Sequence, residues 1–86
     1  MILVDDCSTE DYLGKIEDFK EKLNIKFIKN ETNLGVGMTR QKGLEAAEGD
    51  WVTFCDDDDT FIPNTFNRIR TIIRNNPSRN IIQARF

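Results

Sequence analysis

Short apolar runs alternate with longer stretches of helical periodicity along this chain. The first run, Ile2-Leu3-Val4, stops at Asp5-Asp6 and predicts a buried strand. Ser8-Thr9-Glu10-Asp11 follows, with the capping residues and early acids of a helix start. Tyr12, Ile16, Phe19 and Leu23 then recur at spacings of four, three and four, with Lys and Glu between them. That spacing predicts an amphipathic helix covering a sheet. Ile25-Lys26-Phe27-Ile28 predicts a second strand, and residues 30–37 form a turn-rich loop in which Gly35 and Gly37 are free to take unusual backbone angles.

From Met38 to Glu48 the pattern is helical again, with Leu44 and Ala47 as the inward residues and Gly49 at the C-terminal end. Trp51 to Cys55 predicts a third strand, which runs into four consecutive aspartates, Asp56 to Asp59. Pro63 stands at the start of a further helix whose apolar stripe is Phe66, Ile69, Ile72 and Ile73, and Asn75-Asn76-Pro77 ends it. Ile81-Ile82 with Phe86 predicts one more strand. Strands alternating with helices imply an α/β fold: an open, mainly parallel sheet flanked by helices. Internal repeats, linkers and low-complexity tracts are absent from the sequence.

Composition narrows the chemistry. With 86 residues the chain makes one small domain, and a chain of this size buries only about two-thirds of its unfolded surface, so marginal stability is expected. Hydrophobic residues at 38% and charged residues at 31% are ordinary for a soluble protein. No apolar run approaches the roughly 20 residues of a bilayer span. Met1 is followed at once by Ile2-Leu3-Val4, without a basic region or cleavage site, so these residues read as strand rather than signal peptide. A net charge of -3 without a basic, aromatic-laced patch argues against nucleic acid as partner. The sequence has no histidine, which leaves carboxylates to do any metal or proton work. Cys7 and Cys55, the two cysteines, are expected as reduced thiols of a cytoplasmic protein.

Two acidic clusters, Asp5-Asp6 and Asp56 to Asp59, stand at the C-terminal ends of predicted strands. Ligands of open parallel sheets bind beyond those ends, so the clusters are expected to converge on one cleft. A pair such as Asp5-Asp6 is just as readily a solvated loop. Four successive carboxylates are different, because they repel one another and call for a cation. Hard oxygen ligands without histidine favour Mg²⁺ or Mn²⁺, ions usually held by one or two carboxylates together with substrate phosphates. That chemistry points to a nucleoside diphosphate.

The same residues carry a resemblance. Val4-Asp5-Asp6-Cys7-Ser8-Thr9 resembles the VDDGST segment of family 2 glycosyltransferases of the GT-A type. Asn33-Leu34-Gly35 through Arg40 to Gly43 resembles their NxGxxxARNxG segment, and Gly49 to Asp59 resembles their GEYIxFLDSDD stretch with its DxD motif. Three segments in family order cover essentially the whole chain. The resemblance implies a single partial GT-A domain over residues 1–86, Rossmann-like, that binds a nucleotide-diphosphate sugar, a UDP-sugar in the first instance. It implies a divalent metal, Mn²⁺ or Mg²⁺, and transfer with inversion to a saccharide or other hydroxyl acceptor. Asp6 would contact the nucleobase with Asp5 supporting the turn, and Arg40 would bind nucleotide and phosphates, a role that suits a permanent cation. Asp58 would bind the metal, and Asp56 or Asp57 would meet the ribose or the ion. Metal and Arg40 together would stabilise the departing diphosphate. The base that deprotonates the acceptor comes, in the family, from a later segment.

The sequence departs from the family in three respects. Cys7 stands where glycine is usual, and Gln41 and Lys42 replace the common residues after Arg40. The family's earlier strand and its acceptor-binding half have no counterpart in these residues. A sheet edge left open by that strand would be a template for pairing with a second copy. A non-catalytic nucleotide-sugar-binding or structural fragment is therefore an alternative, as is a location at the inner membrane face within a larger assembly. Phe54 to Thr60 also matches the DxDxT signature of haloacid-dehalogenase-like phosphatases, whose first Asp is a nucleophile. That chemistry needs a later lysine and acidic pair, yet no lysine follows Lys42 and no acid follows Asp59. Ile2 to Asp6 resembles the opening of receiver domains, where the same late lysine is wanted. A calcium-loop reading fails at Phe61 and Asn67, which stand where its glycine and glutamate belong.

Overall fold

The computed structural model describes residues 1–83. Its elements run β1 (Ile2–Asp5), α1 (Tyr12–Lys20), β2 (Lys26–Lys29), α2 (Val36–Ala46) and α3 (Thr65–Asn75). The strands β1 and β2 pair in parallel, with Ile2 opposite Lys26 and Asp5 opposite Lys29. This α/β architecture, a parallel sheet joined through a helix, is the one the alternation of periods predicts. The chain divides into two compact units, Met1–Phe54 and Cys55–Phe86.

In the first unit the ladder is prolonged at both ends, by Lys26 N donating to the Met1 carbonyl at 2.9 Å and Asn30 N donating to the Asp5 carbonyl at 2.8 Å. Asp11 caps α1, its carboxylate accepting from Gly14 N at 3.3 Å. Of the predicted α1 stripe, Ile16 is buried and Tyr12 half-buried, while Phe19 and Leu23 are 53% and 46% exposed. The stripe therefore covers the sheet with its first turns only, because α1 ends at Lys20.

Helix α2 packs on β1. Thr39, Gly43 and Ala46 are half-buried at spacings of four and three, whereas Leu44 is 45% exposed. The inward face thus runs one position away from the predicted Leu44. Small residues bring the helix close: a Cβ on Gly43 would stand 3.4 Å from Val4 Cγ2. Gly35 precedes α2 at φ 86° and ψ 169°, a region essentially reserved for glycine. Gly37 lies inside the helix instead of in the loop, and α2 ends at Ala46 with Ala47 turning extended, ahead of the expected Gly49.

Trp51 to Cys55 pairs with no strand among the described residues. Trp51, Val52 and Phe54 are between 38% and 52% exposed. An apolar run signals burial; a strand also needs a ladder partner, and none stands beside this one.

In the second unit, Asn64 at φ 68° leads into α3, and Thr65 Oγ1 donates to the Ile62 carbonyl at 2.7 Å. Pro63 therefore precedes the helix cap instead of opening the helix. The Phe61 and Phe66 rings meet with centroids 4.8 Å apart. Asn76 closes α3, its side chain donating to the Ile72 carbonyl at 2.9 Å, as the Asn-Asn-Pro sequence predicts. Ile81 and Ile82 are not in a strand, and Phe86 lies outside the described residues. Across the described residues no helix is long and apolar enough to cross a membrane.

Candidate functional site

The C-terminal ends of β1 and β2 carry a network of polar side chains. Asp5, the last residue of β1, is buried, and its Oδ1 accepts from Ser8 N at 3.0 Å. This contact closes the turn from Asp5 to Ser8. Its Oδ2 is also buried and accepts no hydrogen bond among the described residues; the Lys29 ammonium stands 4.0 Å away. Between Asp5 and Ser8 the backbone passes through Cys7 at φ 60°. An L-residue there is strained, which explains why the resembling segment carries glycine. The Cys7 thiol donates to the Glu31 carbonyl at 3.3 Å.

Asp6 faces the loop that follows β2. Its Oδ1 accepts from Leu34 N at 2.8 Å and from Asn30 Nδ2 at 2.9 Å, and its Oδ2 accepts from Gly35 N at 2.9 Å. The Leu34 amide, then the Asn30 amide, and the Gly35 amide and Thr39 hydroxyl after them, hold its carboxyl below the ordinary value of 3.8, against a smaller opposing effect of burial. Gly35 caps α2, so the negative charge also sits at the positive end of that helix. Asn30 is 1% exposed, and its Nδ2 donates both to Asp6 and to Thr39 Oγ1, the latter at 3.2 Å. Asn30 did not stand out in the sequence. A lone asparagine opening a turn-rich loop is ordinary, and its burial depends on β1 and α2 meeting beside it.

Arg40 lies on α2 one residue after Thr39, exposed at its surface. Its guanidinium carbon is 5.9 Å from the centre of the Phe54 ring, within cation–π range. Phe54 thus supports a cation instead of lying in a ladder.

In the second unit the aspartate run folds as a turn, with Asp59 N donating to the Asp56 carbonyl at 3.1 Å. The Cys55 thiol donates to the carbonyls of Asp56 and Asp59, both at 3.6 Å. The turn brings Asp56, Asp58 and Asp59 together with ligand oxygens all within 4.8 Å of one another, and the three are exposed. An octahedral ion with bonds of roughly 2.0–2.1 Å sets its ligand oxygens about 3–4 Å apart. Small side-chain rotations would bring these carboxylates to that spacing, so the donor set fits a hard divalent cation. Asp59 joins the group although the sequence reading left it out, and Asp57 stays outside it. The turn's own hydrogen bond draws Asp59 back toward Asp56.

The sequence-predicted residues fall in both units: Asp5, Asp6 and Arg40 in the first, Asp56, Asp57 and Asp58 in the second. Cys7 and Cys55 are both free thiols.

The model of the glycosyl transferase family 2 matches residues 1–86. A Haemophilus influenzae protein described as an uncharacterized glycosyltransferase is 37% identical over 82 residues, 95% of this chain and 27% of that protein. A second uncharacterized glycosyltransferase of the same organism is 42% identical over 65 residues, 74% of this chain and 26% of its own length. The poly(ribitol-phosphate) beta-N-acetylglucosaminyltransferase TarS of Staphylococcus aureus is 45% identical over 60 residues, 69% of this chain and 10% of that protein. The chain thus spans about a quarter of the length of these relatives, or less. No solved structure matches. With its full length matched and its three motifs in place, the chain belongs to glycosyl transferase family 2.

Proposed function

We propose that this chain forms the donor-binding part of a glycosyltransferase, which takes a nucleotide-diphosphate sugar, in the first instance a UDP-sugar, and transfers the sugar with inversion to a hydroxyl acceptor. The observation that carries this reading is the turn that gathers Asp56, Asp58 and Asp59 within 4.8 Å, in a chain whose family is built around such donors. Asp58 and Asp56, with Asp59, would hold Mn²⁺ or Mg²⁺, which supplies charge neutralisation at the diphosphate. Asp57 would reach the ribose. Arg40 would bind the phosphates with a charge that does not titrate, and Asp6 with its loop would meet the nucleobase while Asp5 holds the turn. The TarS name describes a transfer of N-acetylglucosamine, which supports an activated amino sugar as one donor to try.

Titration with UDP-sugars, with and without Mn²⁺, tests the reading. The expected result is metal-dependent binding that Asp58→Asn weakens by about tenfold or more, since it removes one of an ion's few carboxylate ligands. Nucleotide binding that ignores the metal, or survives the substitution, would sink it. Binding without turnover would be the signature of a non-catalytic donor-binding reading. Pairing of two copies along an open edge of the β1–β2 sheet belongs to that reading, and light scattering that returns a monomer at high concentration contradicts it.

A further inference from the structure

The deepest polar group of the first unit has no part in the roles above. Asn30 is 1% exposed, its amide spans Asp6 Oδ1 at 2.9 Å and Thr39 Oγ1 at 3.2 Å, and its own Oδ1 is buried without a partner among the described residues. A buried amide with an unused acceptor costs stability, so its donors must do something that a smaller residue would not. What they join is specific. Asp6 closes the end of β1, Leu34 and Gly35 form the loop, and Thr39 stands in the first turn of α2, one residue before Arg40.

We propose that Asn30 is a positioning residue for donor binding: by holding the Asp6 carboxylate and Thr39 at once, it fixes the loop of residues 30–35 and the start of the helix that carries Arg40. The inference rests on the donor-site reading for its consequence, but not for its mechanism. Asp6 spends three of its acceptor positions on Leu34 N, Gly35 N and Asn30 Nδ2. A carboxylate has about four such positions, and the Thr39 hydroxyl adds its own support to the same carboxyl. Asn30 thereby fixes how the Asp6 carboxylate is set against the loop and the start of α2. Gly35, held at a backbone conformation open essentially to glycine alone, is kept there by the hydrogen bond that its amide gives Asp6.

The experiment measures amide hydrogen exchange and UDP binding with Mn²⁺ on the same samples of wild type, Asn30→Ala and Thr39→Val. In Asn30→Ala the Leu34 and Gly35 amides are expected to exchange roughly tenfold faster while Leu3 and Val4 in β1 keep their rates, the mark of local opening. UDP affinity should fall about fivefold or more with Mn²⁺ affinity unchanged, since the carboxylates of the Asp56 to Asp59 turn are untouched. Thr39→Val removes one of the two acceptors and should show the same pattern at smaller size, about threefold, which keeps the test open where Asn30→Ala fails to fold. Unchanged Leu34 and Gly35 exchange in either folded variant, or equal acceleration of Leu3 and Val4, overturns the inference. A wild type that binds no UDP with Mn²⁺ sinks the donor-site reading instead, and the exchange rates then decide the role of Asn30 by themselves.

Discussion

Asp6 and Asp58 both follow an apolar run, and their surroundings could hardly differ more. Asp6 is surrounded by donors already in place: two backbone amides and a buried side-chain amide converge on its two oxygens. Asp58 is exposed and has two other carboxylates for company, with ligand oxygens within 4.8 Å. The first acid is neutralised by the protein itself and organises a loop. The second belongs to a group of exposed carboxylates that repel one another and that a bound cation would neutralise. A run of acids in a sequence is thus ambiguous until the donors around it are known.

Substitutions can break or sharpen this contrast. The largest effect is expected at the open cluster: Asp59→Asn should weaken Mn²⁺ binding about as strongly as Asp58→Asn, and Asp57→Asn should weaken it far less, as titration calorimetry would read. A ranking with Asp57 ahead of Asp59 would mean that the turn does not select the ligands. Next in size, Gly35→Ala should destabilise the chain by about 1–3 kcal/mol, because a Cβ is strained at that backbone conformation even though the space beside it is open. Denaturant unfolding measures it, and a cost near zero would show that the loop tolerates another conformation.

A third effect follows from the lowered Asp6 carboxyl. Because its folded value lies below 3.8, the charged form contributes stability that is fully present above that pH and lost as pH falls through the folded value. Melting temperature should therefore drop on acidification below about pH 3.8, and Asp6→Asn should flatten that part of the profile while lowering stability at neutral pH. An unchanged acid limb would place the titration elsewhere. The smallest effect is at Cys7. Relief of a left-handed backbone is worth about 1–2 kcal/mol, and extra freedom of an unfolded glycine takes back about 0.5–1. Cys7→Gly should then stabilise the chain slightly, by about 0.5–1 kcal/mol, and a loss would mean that the thiol contact to Glu31 outweighs the strain.

The sequence made some of this legible and not the rest, for physical reasons. Periodicity located β1, α1, β2, α2 and α3 because each depends on its own spacing of apolar and polar residues and on local caps such as Asp11 and Asn76. The stretch from Trp51 to Cys55 was misread because being a strand depends on a neighbour's hydrogen bonds. Of the two residues expected inward near the end of α2, Ala47 is half-buried and Leu44 is exposed: Leu44 is the more apolar side chain, whereas close packing on Val4 favours Gly43. At the site, the aspartates announced themselves by type and position. Asn30 did not, since its importance lies in being buried between three elements, and the membership of Asp59 is set by a turn hydrogen bond that spacing alone does not reveal.

The most direct test of the central claim, that the Asp56 to Asp59 turn holds a divalent ion against a diphosphate, is paramagnetic broadening of backbone amide signals by substoichiometric Mn²⁺, with and without UDP. The account predicts that Asp56, Asp58 and Asp59 broaden first and that UDP strengthens the effect at the same residues. Broadening shared equally with exposed acids elsewhere, such as Glu17, Asp18 and Glu21 on and beside α1, and indifferent to UDP, would contradict it.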